Sequence, residues 1–383
     1  MRKHPIGAEE VQKYVESVVG DDLHAKRVLS LANATLGVVH AASLAVATIG
    51  RALAQARGLD PKHAIKQVDR LLSNGEVDVW ALFSSWVPMV IAERTEVVVA
   101  MDWTDFEKDD QTTICAYLLT SHGRATPLVW LTVLKSELAG WRNEAEDAVL
   151  WRLKEVLPAG VRVTILADRG FGDAGLYALL QNELQFDFVV RFRSNILVVP
   201  EDGEGKTARE WVPGNGRPRH LRNARVTTDA EPVTAVVVVR AKGMKDAWCL
   251  ATSRQDAAAD IIKLYSRRFT IEESFRDAKD WRFGMGLSAA RMKEPDRRDR
   301  LLLVSAMAVA LLTLLGAAAE SVGLDKTLKA NTSAKRTHSL FNQGVYFYGA
   351  LPMMKPHRLE PLMKRFGELV HEQPFFRATY AVL

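Results

Sequence analysis

YSRRFTIEESFRDAK, residues 265–279, is the stretch on which the reading of this sequence turns. Tyr265, Arg268, Glu272, Arg276 and Lys279 fall at offsets 0, 3, 7, 11 and 14, and at about 100° per residue they share an arc of about 80° on one helix face. Leu264, Ile271, Phe275 and Ala278 form an apolar stripe beside that arc, so a helix over 257–279 can bury one side and hold Glu272 at the rim of a core. The same spacing suits an exposed ladder of ion pairs. It equally suits a metal-binding carboxylate, with Arg268, Arg276, Lys279 and the Tyr265 hydroxyl placed to hold phosphates.

Working outward, the period changes upstream. EVVVAM (96–101) is a β-branched run ending in Asp102, and VRVTILA (161–167) is a second ending in Asp168. Carboxylates at strand ends are where sheet-based sites are built, although a cap or turn role is also open to each. Strands are expected at 114–119 and 128–134 around a turn at Ser121-His122-Gly123, helices at 143–157 and 174–183, and a strand at 186–192. This order, βββαβαβ, predicts a mixed sheet with helices on its faces. Residues 193–254 read as short strands between Gly- and Pro-rich turns, a β-rich insertion. Residues 1–90 read as helices, with Asp60-Pro61 opening one and Asn74-Gly75 closing it.

The pattern Tyr265-x2-Arg268-x3-Glu272-x6-Lys279, with AMDWTD (100–105) and ADRGFGD (167–173) upstream, resembles the Tyr-Arg-Glu-Lys signature of bacterial insertion-sequence DDE transposases, the IS-four-like, hairpin-forming cut-and-paste type. The resemblance spans roughly 95–320. It implies an α/β, RNase H-like mixed sheet flanked by helices, with Asp102, Asp168 and Glu272 as catalytic residues binding two Mg²⁺ ions, for which Mn²⁺ may substitute. Hard cations suit carboxylate oxygens, and paired ions suit phosphodiester chemistry. Trp248, in WCLATS (248–253), resembles the tryptophan that receives a flipped base, for which a π-face is well suited. Tyr265, Arg268, Arg276 and Lys279 are then expected DNA contacts. The implied partners are double-stranded DNA, both inverted-repeat ends and target, and a second copy of the chain in a homodimeric paired-end complex. A catalytically inactive or regulatory DNA-binding protein derived from such an enzyme is the alternative. Phe269 stands where some relatives carry tryptophan.

The expected organisation is a helical region 1–90 for DNA ends, a catalytic core in two parts at 91–192 and 255–322, the insertion at 193–254, and a basic region 323–383 for DNA contact or dimerisation. Over 383 residues the formal net charge is only +5, but its distribution is uneven. Residues 326–383 hold 9 basic and 3 acidic residues, hence +6, and Arg217, Arg219, Arg222 and Arg225 cluster beside His220. Such clusters suit phosphate contact, and Arg217, Arg219 and Arg222 are counted as candidate DNA-binding residues. Cys115 and Cys249 are the only cysteines, which argues against a disulfide framework or a cysteine-based zinc site. The uncharged stretch 301–319 is long enough for a membrane span, but its alanines, Ser305, Thr313 and Gly316 favour a buried core helix. The charged N-terminus, with Arg2, Lys3, Glu9 and Glu10, does not read as a signal peptide. A cytoplasmic, nucleoid-associated protein without membrane contact is expected.

Overall fold

The computed structural model describes residues 6–120, 124–280, 284–333 and 335–371. The first ninety residues are helical: α1 (Ala8–Val19), α2 (Ala25–Ala41), α3 (Val46–Arg57), α4 (Pro61–Leu72) and α5 (Val79–Ile91). Asp60 Oδ1 accepts from His63 N at 3.0 Å at the start of α4, the cap that Asp60-Pro61 predicts. Between α2 and α3 the chain turns at Ala42, which has a positive φ of 46°.

Three antiparallel strands follow, β1 (Glu96–Phe106), β2 (Gln111–Leu119) and β3 (Ala125–Leu134), then α6 (Arg142–Val156), β4 (Arg162–Ala167), α7 (Ala174–Ala178) and β5 (Asp187–Arg191). The expected turn at 121–123 lies outside the described residues. Strand β1 runs five residues beyond the expected end at Met101, because its antiparallel pairing with β2 continues to Phe106↔Gln111. Its parallel pairing with β4 stops at Ala100↔Leu166. Asp102 is therefore inside a strand, at the point where one of its two neighbours departs.

The insertion supplies β6 (Leu197–Val199), β7 (Lys206–Thr207), α8 (Ala208–Trp211), β8 (Arg219–Val226) and β9 (Glu231–Val239), and β10 (Trp248–Thr252) leads back to the core. These strands do not stand apart. One ten-stranded sheet has the order β3-β2-β1-β4-β5-β10-β9-β8-β6-β7, joined where β10 pairs antiparallel with β5. Its first five strands, with β4 and β5 parallel to β1, are consistent with an RNase H-like fold.

The remaining elements are α9 (Ala258–Ser266), α10 (Thr270–Lys279), α11 (Pro295–Ser321), α12 (Leu340–Ala350) and α13 (Pro356–His371). Helix α11 contains the uncharged stretch, and most of its apolar window is buried within the protein, as a core helix requires. It packs on α12 at a distance only glycine allows. A Cβ on Gly316 would collide with the Leu340 carbonyl, and one on Gly344 with that of Leu312. One contiguous apolar core runs from Ile6, just before α1, to Leu369 in α13. Cys115 and Cys249 are free and buried.

Candidate active site

The expected single helix over 257–279 is broken. Residues Arg267–Phe269 form a 3-10 turn between α9 and α10. At three residues per turn this resets the wheel, so the five residues expected on one 80° arc point to different places. Tyr265 is 1% exposed and packs edge-on against Trp248 at 5.0 Å. Arg276 is outward and pairs with Glu273 at 2.9 Å. Lys279 turns back to β1, donating to Thr104 Oγ1 at 3.1 Å and to the Asp105 carbonyl at 2.6 Å. The apolar stripe does face the core: Ile271 is buried, and Phe275 meets Tyr117 edge-on at 5.5 Å.

The same break aims Arg268 at the strand ends. Its Nη1 donates to Asp102 Oδ2 at 3.0 Å and its Nη2 to Glu272 Oε1 at 2.8 Å, so one buried guanidinium bridges two of the three expected carboxylates. Asp168 completes the corner. It lies two residues past Leu166 on β4, as Asp102 lies two past Ala100 on β1, which sets both at one level of the sheet. Its Oδ1 accepts from Gly170 N at 2.7 Å. The loop that follows turns close under β5, since a Cβ on Gly172 would come within 2.8 Å of Phe192 Cβ.

Burial pushes the Asp102 carboxyl up to about 6; Arg268 pulls it down and the Asp168 charge pushes it further up. Glu272 is half exposed, so the corner opens to solvent on that side. Among the described residues no three acidic, histidine or cysteine side chains converge as a ready cation cluster, because Arg268 stands between Asp102 and Glu272. The donor set nonetheless fits a divalent ion: hard oxygens, with two carboxylates sharing one guanidinium.

Trp248, at the start of β10, forms an aromatic cluster with Tyr265 and with Phe269, 6.0 Å away and 41% exposed. Arg268 also lies over the Phe269 ring at 5.0 Å. Beside this cluster is a cleft of about 300 Å³ whose lining includes Arg169, Arg191, Arg193, Ser194, Asn195 and the acid Asp246. None of the three arginines is an expected DNA contact, although Arg169 belongs to the quoted ADRGFGD, Arg191 lies in the strand expected at 186–192 and Arg193 follows it directly. Arg217, Arg219 and Arg222 are not brought to the carboxylates. They lie on or next to β8, four strands from β4, roughly 20 Å away at the usual strand spacing. Arg219 there sits 5.8 Å from the Trp211 ring, which Lys206 also approaches at 5.3 Å.

With this geometry in view, residues 132–311 match the family model of the transposase DDE domain. The matched span contains Asp168 and Glu272 and begins within β3, downstream of Asp102. No curated protein matches the chain. The family match supports a DDE transposase, a class of enzyme that acts on DNA.

Proposed function

We propose that this chain is a metal-dependent DNA transposase that cleaves at the ends of its element and joins them to target DNA through a hairpin intermediate. The observation that carries the reading is Arg268, which reaches Asp102 across 166 residues of sequence while also holding Glu272, with Asp168 at the same level of the neighbouring strand. Asp102, Asp168 and Glu272 would hold two divalent cations, Mg²⁺ or Mn²⁺, which supply activation of a water or 3′-OH and stabilisation of the leaving oxygen. The chain's own residues do the rest. Arg268 offsets part of the carboxylate charge in the ion-free protein and is a phosphate contact once the acids are engaged. Trp248, backed by Tyr265 and Phe269, offers a π-face for an extruded base. Arg169, Arg191 and Arg193 line the adjacent cleft as backbone contacts.

The helices of 1–90 are proposed to bind the element's ends, and the basic region 323–383 to contact DNA or a second copy in a cytoplasmic homodimer. Lys279, Arg276 and the Arg217–Arg222 cluster are proposed as further DNA contacts, the last for DNA running along the sheet away from the carboxylates. Arg268 standing between two of the acids also suits a regulatory protein that binds DNA without cutting it, and the same experiment separates the two readings.

A plasmid carrying the gene with its own flanking sequence is incubated with the purified protein and Mg²⁺. Cleavage at the element boundaries is expected, abolished by chelation and reduced at least about 10³-fold, or about 4 kcal/mol, in Asp102→Asn, Asp168→Asn or Glu272→Gln. Persistent cleavage in any of the three would overturn the assignment of that residue. DNA binding without cleavage by the unaltered chain would favour the regulatory reading.

A further inference from the structure

We infer that Glu146 is a positioning residue for Asp102, acting through the indole of Trp103. The inference rests on the reading of Asp102 as a metal-holding carboxylate. Glu146 lies on the inner face of α6 and is 3% exposed. A buried acid is expensive and is retained only where its bonds repay the desolvation; burial accordingly pushes its carboxyl up. Its Oε1 accepts from Trp103 Nε1 at 2.6 Å and from Arg142 Nε at 3.1 Å, and the Arg142 guanidinium lies 4.8 Å from the Trp103 ring. Trp103 is thus held at its N–H edge and covered on one face.

That restraint falls where the strand needs it. At Trp103, β1 pairs with Ile114 on β2, but on its other flank the ladder with β4 has already ended at Ala100. The backbone carrying Asp102 is therefore tied to the sheet on one side only. The Glu146–Trp103 bond ties it to α6 instead. The consequence reaches Asp102 directly, because Trp103 N donates to Asp102 Oδ1 at 2.9 Å and leaves Oδ2 for Arg268. Without that tie the β1 backbone at Trp103 is freer to shift, and with it the N–H that decides which Asp102 oxygen is available. Any acceptor could satisfy an indole N–H, but only one anchored in α6 fixes it against a second element.

The test measures Mn²⁺ binding to the DNA-free protein by electron paramagnetic resonance, beside single-turnover end cleavage and DNA affinity. Glu146→Ala and Trp103→Phe remove the same bond from opposite sides. Each is expected to weaken Mn²⁺ binding and to slow cleavage about 10-fold, the size usual for partners that orient a ligand, with DNA affinity unchanged. The double variant should be no worse than the poorer single, and Glu146→Gln, which keeps an acceptor, should recover most of the loss. If Glu146→Ala does not fold, Trp103→Phe carries the test. Wild-type Mn²⁺ affinity in Trp103→Phe, together with its loss in Asp102→Asn, would overturn the positioning role and leave the metal-site reading standing. Unchanged affinity in Asp102→Asn would remove that reading itself.

Discussion

Two buried arginines meet the β1–β2 hairpin, and their surroundings differ in a way that separates a site from a fastening. Arg298 on α11 is fully buried. Its Nε donates to Gln111 at 2.5 Å, its Nη2 to Asp109 at 2.6 Å, and its guanidinium lies 3.8 Å from the Phe106 ring. Asp109 also takes Arg291 at 2.9 Å and the Met292 amide at 3.1 Å, while Gln111 donates to the Met292 and Lys293 carbonyls. The acid there is matched by two cations and sealed. Arg268 instead faces two carboxylates, one of them half exposed, with Asp168 as a third nearby. Negative charge in excess of its local cations, with an opening to solvent, is what a divalent ion can use.

The comparison breaks first at Arg298. Removing one partner of a buried pair strands the other, which typically costs about 3–5 kcal/mol, so Arg298→Ala should lower the urea midpoint by that amount of stability. Cleavage per folded molecule should be unaltered. A loss below about 1 kcal/mol would mean that Arg291 and the loop amide suffice to hold Asp109, and that the corner is no fastening.

Arg268→Gln should behave in the opposite sense. Asp102, already raised, can take up a proton when its cation is removed, so stability should fall by less than in Arg298→Ala. End cleavage should drop about 10²-fold, near 2.7 kcal/mol, from lost phosphate contact. A variant that is as unstable as Arg298→Ala but cleaves normally when folded would place Arg268 among the structural arginines.

Much of the framework behind this contrast is legible in the sequence, and the reason is local. Asp60-Pro61 announces α4, the β-branched runs announce β1 and β4, and the spacing from Tyr265 to Lys279 singles out Glu272 and Arg268. What escapes is whatever depends on pairing across the sheet or on a departure from regular geometry. A wheel at 100° per residue cannot show the 3-10 turn at Arg267–Phe269, although that turn is what sends Arg268 to Asp102. Nothing local says that β10 pairs with β5 and draws the insertion into one sheet. The Glu146–Trp103 bond spans 43 residues between helix and strand and has no spacing signature.

A raised carboxyl is itself no mark of a site, and Asp299 sharpens the comparison on that point. It adjoins Arg298 and accepts from Thr132 through both oxygens, at 2.5 Å from Oγ1 and 3.3 Å from the amide. Burial pushes it up to about 7, further than Asp102, although it faces a strand and not the opening. Its effect belongs to folding. Between its ordinary value of 3.8 and about 7 the folded chain holds a proton that the unfolded chain has released. Stability must therefore fall as pH rises through that window, being fully present below 3.8. Asp299→Asn keeps an acceptor for the Thr132 hydroxyl but cannot titrate, so the decline from pH 4 to pH 8 should shrink by about 1–2 kcal/mol, discounted for partial exposure. The profile of end cleavage against pH should stay in place. A cleavage profile that moves with Asp299 would join the two corners into one electrostatic unit and undo the distinction between them.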